Sequence, residues 1–70
     1  MATTIEILVY DGFDELDVVG PFEAFEMAAD GGTPLDTSLV TLSSREQVTA
    51  AHGLRIEPDG VLSVDDPPDL

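Results

Sequence analysis

The stretch Ile5-Glu6-Ile7-Leu8-Val9-Tyr10-Asp11-Gly12 reads as a strand running into a turn. Ile5, Ile7, Leu8, Val9 and Tyr10 form a nearly continuous apolar run, β-branched and aromatic, which suits a strand covered on both faces rather than one with an alternating exposed side. Such a strand belongs in the middle of a parallel sheet. The run stops at Asp11-Gly12, a turn signal, and an acidic loop with Asp14, Glu15 and Asp17 follows.

Working outward, Pro21 suits the first turn of a helix, where its missing N–H costs nothing. Phe22, Phe25 and Ala29 then recur at helical spacing, with Glu23 and Glu26 outside them, and Gly31-Gly32 predicts the stop. Leu39, Val40 and Leu42 place a second strand over 37–43. Strand, helix, strand favours a right-handed crossover and a parallel sheet. Val48 to Ala51 and Leu54 to Glu57 flank His52-Gly53 and predict a β-hairpin. Val61, Leu62 and Val64 are apolar without a clear period, and Asp65-Asp66-Pro67-Pro68-Asp69 reads as a turn leading to a strand start at Leu70. One helix on so small a sheet leaves the other face uncovered, so the expectation is the N-terminal part of a single domain over 1–70, completed by further sequence or by a second chain.

Charge and composition narrow the function. Among 70 residues, two Lys+Arg stand against 15 Asp+Glu, for a net charge of −13. Lysine is absent, and a polyanion cannot bind nucleic acid by releasing phosphate counterions. No apolar run approaches a membrane span, and the N-terminus lacks the basic start of a secretory signal, so neither membrane nor nucleic acid is an expected partner and a cytoplasmic location is expected. A hydrophobic fraction of 43% and a mean hydropathy of +0.13 indicate a folded chain rather than a disordered acidic one. Surface carboxylates on an ordinary core suggest a halophilic protein, whose self-repulsion is screened in concentrated salt.

The chain has no cysteine, which removes disulfides, thiolate metal sites and a cysteine nucleophile within these residues. The glycines at 12, 20, 31, 32, 53 and 60 form neither a dinucleotide fingerprint nor a phosphate loop, and no serine sits in a G-x-S-x-G elbow. A single histidine, His52, builds no histidine metal site and reads as a solvated turn residue. Asp11, Asp14, Glu15 and Asp17 are the dense acidic group, but their spacing does not follow a calcium loop. Nothing in these residues fixes a metal or a cofactor. Ligands of open α/β sheets bind outside the carboxyl ends of the strands, which points to residues 11 to 20. Asp17 lies there, one turn before Pro21, where a helix cap is its plain structural role.

Residues Ile5 to Phe25, with Leu16-Asp17-Val18-Val19-Gly20-Pro21 at their centre, resemble the opening of the ThiJ/PfpI (DJ-one) superfamily of class I glutamine amidotransferase-like proteins. The similarity is to the isocyanide hydratase and AraC-regulator branch, with its Leu-Asp-x-x-Gly-Pro signature. Ala51 to Asp59 and Asp66 to Leu70 are similar to the hairpin and strand approach of that family. The resemblance implies a flavodoxin-like three-layer α/β sandwich of about 190 to 230 residues, a homodimer, and no cofactor. It also implies a cysteine nucleophile on a strained elbow, beyond Leu70, hydrogen-bonded by an acidic residue four before the proline. Asp17 holds that position, and Asp11, Gly12 and Gly20 would line the same pocket.

The expected activity is therefore a cysteine-dependent hydratase, hydrolase or deglycase acting on a small molecule, with Asp17 as the acid. A non-catalytic ligand-sensing or interaction domain of the same fold, as in regulators, is the alternative, and an inactive piece is a third.

Overall fold

The computed structural model describes residues 2–65 and 67–70. The elements run β1 (Thr3–Leu8), α1 (Glu15–Asp30), β2 (Leu35–Thr41), β3 (Val48–Thr49), β4 (Arg55–Ile56) and β5 (Gly60–Val61). The protein is thus mixed α/β, with a parallel three-stranded sheet ordered β1-β2-β5 and a separate antiparallel pair β3-β4. β1 and β2 are in register from Thr3 opposite Leu35 to Leu8 opposite Val40.

Alternation and register assign the faces. Ile5 and Ile7 share one side with Leu39, while Glu6 and Leu8 share the other with Val40. On the first side Val9, Phe13, Val18, Val48 and Ala50 form the core, with Ile7, Leu39 and Ile56 packed against it. The core therefore sits beneath the carboxyl end of β1, between the start of α1 and the hairpin. Val18 is the buried residue of α1; Phe22, Phe25 and Ala29, half-buried, follow it at i+4, i+7 and i+11, so the predicted helical face is the one turned inward.

After β5 the chain crosses the opposite face. The Leu62 N–H donates to the Thr41 carbonyl, and the Ser63 N–H and hydroxyl then reach the Glu6 carboxylate at 3.1 and 2.8 Å. Beyond that crossing, the Leu70 N–H donates to the Thr4 carbonyl and the Leu70 carbonyl accepts from the Glu6 N–H. These two bonds straddle Ile5 in the pattern of a parallel pair. Asp69 reinforces them, its carboxylate accepting from the Thr4 N–H at 2.9 Å. Chain order across the sheet is therefore β5, β2, β1, Leu70, with the direction of winding reversed at β1. α1 packs on the core face of the sheet, while Ser63 lies against Glu6 on the other.

Several expectations need correction. The first strand covers Thr3–Leu8 and the second Leu35–Thr41, each set back by two residues. α1 begins at Glu15, so Pro21 lies well inside the helix rather than in its first turn. The cap explains the early start: the Asp14 carboxylate accepts from the Leu16 N–H at 2.9 Å, so Asp14, not Asp17, is the N-cap. Gly60–Val61 pairs with β2, a short strand that the period gave no sign of. The hairpin and the stop at Gly31-Gly32 are as expected, with β3 and β4 only two residues each. The expected turn over 65–69 includes Asp66, which lies outside the described residues.

Candidate functional site

The candidate site is the ring of loops at the carboxyl ends of β1 and β2. Gly12 makes the first turn possible, with φ +90, a conformation that a side chain would strain. That turn aims Phe13 into the core, where it is 1% exposed. It also aligns the backbone with β3: the Gly12 N–H donates to the Thr49 carbonyl, and the Ala51 N–H to the Phe13 carbonyl, both at 2.8 Å.

Two charged pairs tie this loop to later segments. One oxygen of Asp11 accepts from Arg45 Nη2 at 2.7 Å and the other from the Thr49 N–H at 3.1 Å. The Arg45 guanidinium, then the Thr49 N–H, hold the Asp11 carboxyl below its ordinary range. Across 37 residues of sequence, both Glu15 oxygens engage His52: one takes its backbone N–H at 2.9 Å and the other faces Nδ1 at 3.0 Å. Desolvation pushes Glu15 upward, but the His52 ring and the backbone N–H groups around it outweigh that and hold the carboxyl low. His52 is raised, first by that hydrogen bond and then by the Glu15 charge.

The predicted site residues divide into two groups. Asp11 and Gly12 sit together in the turn, joined to Arg45 and Thr49. Asp17 and Gly20 lie on α1, both exposed, and share no hydrogen bond with the first group among the described residues. Asp17 is one turn into the helix, its N–H donating to the Asp14 carbonyl at 3.1 Å. Residues 15–20, expected as loop, are helical. His52 is in the turn as expected and 84% exposed, but it has a partner in Glu15. The sequence points to neither the Asp11–Arg45 nor the Glu15–His52 pairing, because pairings across 34 and 37 residues leave no local signal.

A cleft of about 240 Å³ opens at the carboxyl ends of β1 and β2, bordered by Leu8, Val9, Tyr10, Thr41, Leu42, Ser43 and Arg45. Among the described residues no cluster of three or more His, Cys, Asp or Glu side chains stands ready for a metal, and no helix is long and apolar enough to cross a membrane.

No protein-family model matches the chain, and no curated protein matches it.

Proposed function

We propose that this chain is the N-terminal part of a flavodoxin-like, ThiJ/PfpI-type enzyme that adds water to, or hydrolyses, a small molecule at the carboxyl end of β1. One observation carries the reading. Leu70 bonds along one edge of β1 and β2 along the other, so the winding reverses at β1, and open α/β sheets take their ligands in the crevice at such a point. The turn at Asp11-Gly12 and the first turns of α1 border that crevice. The Leu16 to Pro21 motif supplies the chemical part of the proposal.

In this account Asp17 faces a cysteine contributed by sequence beyond Leu70. In its protonated form a carboxyl group beside a thiolate donates a hydrogen bond to the sulfur. It then gives its proton to the substrate and recovers one from water, the acid and base halves of one cycle. For an isocyanide the net change is addition of one water to give the N-substituted formamide, with no oxidant or reductant involved. The partner is a second copy of the chain, and the compartment the cytoplasm.

The test is turnover of a simple alkyl isocyanide by the full-length protein, read as formamide by NMR, in wild type and Asp17→Asn. Loss of a hundredfold or more with an unchanged far-ultraviolet spectrum supports the assignment. Unchanged turnover in the variant removes Asp17 from the chemistry. Ligand binding without turnover in the wild type points to the sensing domain instead.

A further inference from the structure

We propose that the cleft between the carboxyl ends of β1 and β2 binds a small carboxylic acid with a compact apolar body, its carboxylate held by Arg45. The proposal does not rest on the cysteine chemistry, because Asp17 does not line this cleft.

The walls are apolar. Leu8, Tyr10 and Leu42 line the cleft beside Val9, Thr41 and Ser43, and the first three are 40%, 59% and 73% exposed. At about 240 Å³ the cleft is smaller than a drug-sized site, so its occupant is a short branched or aromatic acid rather than a cofactor. Charge decides what the polar end must be. Arg45 is one of only two cations in a chain of net charge −13, and it stands at the rim of this cleft. A guanidinium carries five N–H donors and no acceptor. Its one hydrogen bond among the described residues uses Nη2, through a single oxygen of Asp11. The second Asp11 oxygen is committed to the Thr49 N–H, so Asp11 fixes the position of Arg45 rather than closing a two-point fork with it. The donors left over suit a carboxylate, which accepts two at once. A body seated against Leu8 and Leu42 would bring the acid group to that edge.

The second cation provides the control. Arg55 lies on β4, outside the cleft, so Arg55→Gln changes the net charge by the same amount as Arg45→Gln. The experiment is an NMR titration of the full chain with 3-methylbutanoate and, separately, with 3-methylbutanamide, in wild type and both variants. Saturable shifts at Tyr10 and Leu42 with the acid, at least tenfold weaker for the amide and for Arg45→Gln but unchanged in Arg55→Gln, are the expected result. Arg45→Lys guards against misfolding, and is expected to bind at an intermediate strength with a native spectrum. Equal binding of acid and amide, equal weakening in both glutamine variants, or no saturable shift with the acid overturns the proposal.

Discussion

Pro21 stands four residues after Asp17 inside α1 and, having no N–H, leaves the Asp17 carbonyl without its helical donor. Proline also disfavours the helical conformation in the residue before it, here Gly20. The first turns of α1 are therefore set apart from the rest of the helix by a break in the hydrogen-bond ladder, and Asp17 is the residue at the break. Replacing Pro21 by Ala restores the bond. The melting transition should rise by about 1 to 3 kcal/mol in stability, reduced by the greater freedom of the unfolded variant. An unchanged or lowered midpoint would mean that the proline costs this helix nothing.

Asp14 and Asp17 are separable by mutation. Asp14→Ala removes the N-cap and should destabilise the protein by about 1 kcal/mol in urea unfolding. Asp17→Ala, at an exposed position with the cap intact, should stay within about 0.5 kcal/mol of wild type. The reverse order would return the capping role to Asp17.

Much of this was legible in the sequence, and what was not has a physical reason. The run from Ile5 to Tyr10, apolar but for Glu6, marks a sheet strand, although Leu8 and Tyr10 are exposed rather than covered, and Gly31-Gly32 marks the helix end because a helix cannot easily continue through it. The commonest position of proline points to a helix start near Pro21, while the side chain that sets the start is Asp14, one of four acidic residues between 11 and 17. β5 was missed because Gly60–Val61 is held by β2 and by Asp59, whose carboxylate accepts from the Leu39 N–H at 2.7 Å. Two residues paired from outside carry no period of their own. The pairs Asp11 with Arg45 and Glu15 with His52 were equally hidden, since only the packing of the hairpin on the β1 turn brings them together.

The Glu15 and His52 pair gives stability a pH dependence of definite sign. His52 is raised in the folded protein, so its contribution is complete below its unfolded value near 6.5 and fades as pH rises through the folded one. Glu15 is lowered, so its contribution is complete above its unfolded value near 4.5 and fades as pH falls through the folded one. Both act together between those two values. Glu15→Gln should return the His52 titration, followed by its ring protons, toward 6.5, and should remove the excess stability in that window. A His52 titration that does not move in the variant would show that the pair does not form in solution.

Phe13 is the largest fully buried side chain, and it anchors the turn that carries Asp11 and Gly12. Phe13→Ala should cost about 3 to 5 kcal/mol, enough to leave a small domain largely unfolded at 25 °C. The amide spectrum should collapse toward random-coil dispersion. Retained native dispersion would mean that the core beneath β1 closes around the loss.

With 15 acidic side chains against two arginines, self-repulsion should weaken the fold in dilute buffer. The melting midpoint is expected to rise steadily between 0.05 and 2 M potassium chloride, roughly as the screening length falls from above 10 Å to about 3 Å or less. A flat midpoint would remove the halophilic reading.

The central claim is a site at the carboxyl end of β1 in which Asp17 serves a reactive thiol. The most direct measurement is the mass of the native polypeptide, before and after timed exposure to iodoacetamide near neutral pH, in wild type and Asp17→Asn. The account predicts a mass well above 7.4 kDa, one rapid adduct in the wild type, and a markedly slower adduct in the variant. A polypeptide that takes up no adduct, or takes it up equally fast in both forms, would contradict it.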